Sequence, residues 1–514
     1  MKKYIIVSAL IFAGSFAFGQ TEYDALRMSQ TSLTGSARYM GMGGAFGALG
    51  ADATAIKDNP AGLGVFRSSE IAFTINGAFQ SNNADWKGKH TKESGNNLRF
   101  DALSYVMAMP IYNEGSGGLV GSNFSFTYNK VRDFNRSIMA KGTNVDRSFT
   151  DFISYYTTKA NRIEQDLQKK DNYDPYLERN SDGEFAPWLA ILGYNGYLIN
   201  PKIENKLTTW HSNFPGQLVN PTSIVLEKGS VNEYGFGWAG NFDNKFFLGV
   251  NANIYSLNYN LESTLGESFS NANFTLTNYL SQTGTGFNVK IGGIYLPTNN
   301  LRLGVSLHTP TFYSISETMD FKLLSSQMAP NMIEQPTKMG SQEYNLQTPL
   351  QAQASIAYLF GRKGLLSAEY NFINYPGMRL RDSGSNSSSF GIENEGMSKV
   401  FRNGHVFKIG AEYKPMETVA LRTGYGFATS PNNPDYEEGK ALRLNSTTTA
   451  TEYFENNNTQ YISLGAGYRQ SNWFLDLAYV LRWQKDKLYS YQGAYAADIS
   501  TSTNNIVATL GFKF

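Results

Sequence analysis

The chain has 514 residues, a formal net charge of +1 and no cysteine. Near-neutrality gives no electrostatic reason to expect nucleic acid as a partner, and the missing thiols exclude both a disulfide frame and a lipid-modified cysteine. Past the first twenty residues there is no run of 18 apolar residues, so a transmembrane helix is not expected.

Residues 1–19 carry Lys2 and Lys3, an apolar run from Tyr4 to Ala13, and Ala17-Phe18-Gly19 before Gln20. This reads as a cleaved secretory signal. About fifty residues then precede the first alternating stretch, and 35–64 (GSARYMGMGGAFGALGADATAIKDNPAGLG) are rich in small residues with no β-alternation. Such a segment packs where space is short, for instance inside a lumen.

From residue 70 onward apolar residues alternate in segment after segment. Ile71, Phe73 and Ile75 share a face, as do Leu248, Val250, Ala252 and Ile254, with Asn251 and Asn253 opposite. Phe287, Val289 and Ile291 oppose Asn288 and Lys290; Phe407, Ile409 and Ala411 oppose Lys408 and Glu412; Trp473, Leu475, Leu477 and Tyr479 oppose Asp476. Short turns at 113–117, 243–244, 297–300, 361–363, 415–417 and 470–472 alternate with long connections near 81–97, 135–229, 262–284, 325–348, 374–403, 429–458 and 484–504. Six short and seven long connections give fourteen strands, if 301–324 is one strand kinked at Pro310. Strict short–long alternation suits an all-β, 14-stranded antiparallel transmembrane β-barrel with apolar residues turned to lipid and polar ones to the lumen. The aromatic fraction of 14 % and the 49 glycines fit interfacial girdles and a curved sheet. The low mean hydropathy of −0.36 is the average expected of alternating faces.

Within 135–229, Phe149, Phe152, Ile153, Tyr156, Ala160, Ile163 and Leu167 recur at helical spacing, and Pro187–Tyr194 form a second apolar stretch. Two helices over the outer mouth are expected, with Trp188, Leu189, Ile191 and Leu192 as candidates to line an outer apolar groove against the blander reading of a loop core. The chain ends on alternating Ile506, Ala508, Leu510, Phe512 and Phe514, a strand suited to pairing with the first.

Other motifs carry little. Gly41-x-Gly43-Gly44-x-x-Gly47 follows no strand and opens no βαβ unit, so it is not a dinucleotide loop. His90, His211, His308 and His405 stand in separate contexts, with neither HExxH nor GxSxG, so no metal, cofactor or catalytic site is expected. The lumen-facing charges Lys290, Arg302, Glu369, Lys408, Glu412, Arg422, Asp476 and Arg482 read first as structural ladders. Arg302, Lys408 and Arg422 are the candidates to meet a ligand carboxylate.

The N-terminal residues Gly35-Ser36-Ala37-Arg38, Met40-Gly41-Met42-Gly43-Gly44-Ala45, Asp52-Ala53 and Asn59-Pro60-Ala61-Gly62 resemble the hatch of the FadL/TodX family of outer-membrane transporters for hydrophobic compounds. The terminal Phe514 also resembles the C-terminal signal of bacterial outer-membrane barrels, read by the barrel-assembly machinery. The resemblance implies a monomer in the outer membrane of a Gram-negative bacterium, with a hatch (20–69) inside the lumen of a barrel (70–514). It implies uptake of small hydrophobic molecules, long-chain fatty acids by default, by binding and passive diffusion. Asn59, Pro60 and Ala61 would then gate the ligand path. The alternative is a protein-handling barrel like the PorV component of type IX secretion.

Overall fold

The computed structural model describes residues 22–111, 118–170, 173–178, 185–204, 207–328, 333–336, 339–384, 390–434 and 447–514. The expected signal segment and the short turn at 113–117 lie outside them. Fourteen staves form a closed antiparallel barrel. They are β1 (Glu70–Trp86), β2 (Lys89–Pro110), β3 (Leu119–Asp133, prolonged by Arg136–Lys141), β4 (Asn220–Phe242), β5 (Phe246–Ser268), β6 (Asn273–Tyr295) and β7 (Leu301–His308 with Phe312–Ser325). The circuit continues with β8 (Gly340–Gln347 with Gln351–Phe360), β9 (Gly364–Ile373 with Arg379–Asp382), β10 (Gly404–Met416), β11 (Val419–Ala428), β12 (Tyr453–Arg469), β13 (Trp473–Tyr489) and β14 (Ala497–Lys513). Each pairs with its chain neighbour, and β14 closes on β1 from Glu70 opposite Lys513 to Asp85 opposite Asp498. Among the described residues every stave is paired on both sides, as a sheet that spans lipid requires.

The lipid-facing belt is apolar and the lumen beside it polar. On β5 the outward residues are Phe246, Leu248, Val250, Ala252 and Ile254, and Asn251 and Asn253 point inward. Beyond Ile254 the strand keeps its register while the polarity of its faces inverts. Ser256, Asn258, Asn260 and Glu262 now point outward, and Tyr255, Leu257, Tyr259 and Leu261 are buried inside. A membrane strand needs about ten residues, whereas β5 has 23. The barrel therefore rises well above the membrane. This corrects the loop boundaries expected from sequence: 81–97, 262–284 and 484–504 are mostly strand, joined by tight turns such as Lys87-Gly88. Apolar alternation stops where lipid stops, not where the strand does.

Three adjacent staves are interrupted at one height. The gaps are Thr309–Thr311 in β7, Thr348–Leu350 in β8 and Asn374–Met378 in β9, and they hold Pro310, Pro349 and Pro376. Proline has no N–H to donate to a ladder, so three prolines at one level weaken the wall there. The expected kink at Pro310 is one member of this set.

Over the outer mouth sit α3 (Phe149–Lys159), α4 (Glu164–Leu167), α5 (Trp188–Asn195) and a hairpin, Ile199–Glu204 with Leu207–Ser212. Two helices precede the barrel in the chain, α1 (Glu22–Ser29) and α2 (Ala37–Gly41), and α6 (Gly391–Val400) follows β9.

Candidate functional site: the plugged lumen and its cavity

The residues before β1 fill the lumen in two tiers. In the outer tier, Tyr23, Leu26 and Met28 of α1 join one apolar cluster with Tyr255, Tyr259, Tyr344, Phe401 and Tyr453 of the wall and its loops. Tyr23 meets Phe401 edge-on at 5.6 Å and Tyr453 at 5.2 Å. These wall residues lie above the belt, where the inner face has become apolar.

The inner tier is a chain of capped turns. Ser36 caps α2 by accepting from Tyr39 N (3.0 Å) and donates to Asp52 (2.7 Å). Asp52 caps the turn Ala53–Lys57 by accepting from Thr54 N (3.0 Å), and Asn59 caps Pro60–Val65 by accepting from Ala61 N (3.1 Å). Asn59 also donates from Nδ2 to the carbonyls of Gly47 (2.6 Å) and Gly293 (3.3 Å), tying the turn to the preceding loop and to β6. Pro60 takes the first helical position, where its missing N–H is not needed. The motif residues are thus the caps of successive turns.

The wall receives these turns on glycine. A Cβ on Gly249 would strike Pro60, on Gly292 Asn59, on Gly304 the Gly47 carbonyl, on Gly410 Met42, and on Gly424 Gly43. Plug backbone, and at Gly292 the Asn59 side chain, lies directly against wall backbone, a closeness that only glycine allows.

Charges fix the plug. Arg302 donates from a terminal nitrogen to the Leu49 carbonyl (2.6 Å). Lys408 pairs with Glu369 at 2.7 Å and lies 3.7 Å from Asp58 of the plug, while the second Glu369 oxygen accepts from Gly47 N (2.9 Å). Arg422 lies between Glu412 (2.7 Å) and Asp476 (2.6 Å), and Arg38 of α2 reaches the same Glu412 at 3.3 Å. Lys290 pairs with Glu233 (2.6 Å) and donates to the Lys57 carbonyl (2.8 Å). Burial pushes the Lys57 ammonium down; burial would push Asp58 up, but Lys408 and Lys57 hold its carboxyl below the usual range.

Between the tiers lies a cavity of about 230 Å³. Its floor is Tyr39, Lys57 and Asp58, its roof Met28–Leu33, and its walls include Tyr255, Tyr313, Ile373, Val406 and Tyr461. Thr309, Thr311, Thr348 and Pro349 also line it, so the cavity reaches the weakened stretch of wall. Five cations border it (Lys57, Arg132, Lys290, Lys408 and Arg482) against two carboxylates, Asp58 and Glu233. Both carboxylates already serve Lys408 and Lys290. Arg132 and Arg482 take part in no ion pair among the described residues: Arg132 lies over the Phe134 ring at 5.6 Å and donates to Gln30 Oε1 at 3.4 Å, leaving its buried Nε without an acceptor, and Arg482 donates to Gln484 at 2.7 Å. The charge of Arg482 acts against that of Arg132, while Asp486 beyond Gln484 attracts Arg482 without pairing with it.

No family model and no curated protein matches the sequence. Solved structures do match. A FadL homologue of Pseudomonas aeruginosa has a TM-score of 0.52 at 12 % identity, over 94 % of this chain and 99 % of its own. The toluene transporter TodX of Pseudomonas putida has a TM-score of 0.52 at 13 % identity, over 95 % and 100 %. The fold is that of the FadL/TodX barrels. A FadL-type barrel with an apolar belt belongs to the outer membrane of a Gram-negative bacterium.

In this chain the helices expected over the mouth are present, but Trp188, Leu189, Ile191 and Leu192 are buried within the cap. They share one apolar cluster with Phe149, Ile153, Phe274 and Phe321; Trp188 lies 5.5 Å from the Phe321 ring and donates to the Tyr176 carbonyl (3.2 Å). They form a loop core and present no open groove. The cap is fixed to the barrel by Glu267 at the outer end of β5, which accepts from Ser148 Oγ (2.6 Å) and Phe149 N (2.9 Å) at the start of α3. Burial outweighs these bonds and pushes the Glu267 carboxyl up to about 7.

Sequence reasoning missed Arg132. A register shift between Lys130 and Arg132 inserts an extra residue in β3 and breaks the alternation at that point. Lys57 and Asp58 were also missed, because a segment without periodicity gives no face to assign.

Proposed function

We propose that this barrel takes up small hydrophobic molecules bearing an anionic head, long-chain fatty acids by default, through binding and passive diffusion past the hatch. The carrying observation is the cavity between the two tiers, where apolar side chains adjoin two arginines with no carboxylate partner. Two guanidinium groups that line one buried space without an ion-pair partner gain from a shared anion. An alkyl tail adds roughly 0.8 kcal/mol for each buried CH₂.

Uptake then needs three displacements. The cap and α1 shift to admit the ligand, which settles with its head on Arg132 and Arg482. Loosening of the Asp58–Lys408 and Asn59 contacts lets the inner tier move. The stretch of Pro310, Pro349 and Pro376 offers a sideways exit into the membrane, since it borders the cavity and its ladder is interrupted on three adjacent staves.

Titration of the purified, delipidated barrel with dodecanoate, dodecanol and toluene tests this reading. Dodecanoate should bind tightest, and Arg132→Gln or Arg482→Gln should remove its advantage over dodecanol. Equal binding of all three would discard the anionic head and leave hydrophobic uptake standing. Binding of none, with no apolar molecule in solvent extracts of protein purified from membranes, would discard the reading.

A further inference from the structure

Two neighbouring rows of cross-strand partners on the outside of the barrel mark the upper edge of the belt. The lower row runs Ile254, Phe287, Phe312, Gln347, Arg379, and the upper row Ser256, Thr285, Ser314, Asn345, Arg381. The last apolar row and the first polar row therefore both end on an arginine, on the short strand Arg379–Asp382 beyond the Pro376 gap. The wall is dented across these rows, giving an external groove of about 510 Å³ with Ile254, Phe287 and Phe312 among its lining and Arg381 at its rim. Among the described residues, no carboxylate lines the groove. Arg379 is spent on the carbonyls of Pro376 (2.8 Å) and Met378 (2.6 Å). Arg381 is exposed, donates to Gln347 Oε1 (3.0 Å), and takes part in no ion pair among the described residues.

We propose that this groove binds a phosphorylated acyl glycolipid of the outer leaflet, the lipid A part of lipopolysaccharide. Its lower half continues the lipid-facing belt, so an acyl chain lies against Ile254, Phe287 and Phe312. Its rim places a guanidinium without an ion-pair partner at the height where lipid headgroups begin, and a guanidinium matches a phosphate in charge and in its paired donors. Asn345 and Ser314, in the same row as Arg381, face the sugar. The site goes beyond the uptake reading and depends only on the barrel's place in the outer membrane.

The test uses the full chain, delipidated in detergent, and native mass spectrometry with bisphosphorylated lipid A and its dephosphorylated form. The phosphorylated lipid should bind about tenfold more tightly. Arg381→Gln should abolish that preference, Arg381→Lys should keep part of it, and Phe312→Ser should weaken both lipids. Lys485→Gln, an exposed cation on β13 on another side of the barrel, should change nothing. Heat-modifiable mobility on gels confirms that each variant is folded, and Arg381→Lys carries the comparison if the glutamine variant is not. Equal binding by wild type and Arg381→Gln would overturn the site, as would a wild type that retains no lipid A. Displacement of lipid A by dodecanoate, equally in wild type and Arg381→Gln, would also overturn it and make the groove the outer end of the ligand path.

Discussion

The side-chain amide oxygen of Asn59 occupies the space that a Cβ on Gly292 would need. The hatch is therefore held by shape as much as by bonds. A turn that rests on bare backbone leaves when a methyl group arrives.

Gly292→Val should drive Asn59 off the wall and loosen residues 41–66, at a cost of about 1–3 kcal/mol in hatch docking. Hydrogen exchange over that segment and conductance across planar bilayers should both rise. Gly95→Val, at a position with open space around it, should leave both unchanged.

Asn59→Ala removes the cap on Ala61 N and the donor to the buried Gly47 carbonyl. We expect faster exchange across Pro60–Val65, equivalent to about 1–3 kcal/mol. Asn59→Asp keeps the cap but supplies no donor, so it should restore part of the protection within the turn and none at Gly47.

Arg422→Met strands Asp476 in the wall and leaves Glu412 only the longer contacts to Arg38 (3.3 Å) and Lys414 (3.8 Å). Removing one member of a buried ion network costs about 3–5 kcal/mol, so the temperature of heat-modified migration should fall. Adding Glu412→Gln and Asp476→Asn should recover most of the loss. Because Arg422 does not border the cavity, dodecanoate affinity per folded molecule should not change.

The cap should be sensitive to pH through Glu267. Its carboxyl titrates near 7 in the folded protein against an ordinary 4.5, so the folded state keeps a proton that the undocked state has lost between those values. Docking is thus strongest below about pH 4.5 and weakens as pH rises to 7, by about 3 kcal/mol. Protection of Phe149–Lys159, corrected for intrinsic exchange, should fall between pH 5 and 8 in wild type and stay level in Glu267→Gln.

The barrel, its strand count and the outward faces were legible because lipid imposes a period of two over about ten residues. Strand length was not. Tyr255 and Ser256 exchange the polarity of the two faces, and a reader following apolar residues stops at Ile254. The hatch was legible as a small-residue segment with turns, whereas the glycines that receive it belong to staves up to several hundred residues later. The lumen face of Arg422 could be read from alternation. Its placement opposite Glu412 depends on register, which alternation leaves free. The helix at Trp188 was also visible, but its packing depends on Phe274 and Phe321 from β6 and β7.

The inversion at Tyr255 also sets where the protein meets its surroundings. From Ser256 to Ser268 the wall continues for roughly 30 Å past the last lipid contact, at about 3.3 Å per residue and a tilt near 40°. Its mouth stands clear of the hydrocarbon. If the proposed uptake holds, a solute that reaches the cap comes from water, and its rate of capture should follow its concentration in the medium and not its partition into the membrane.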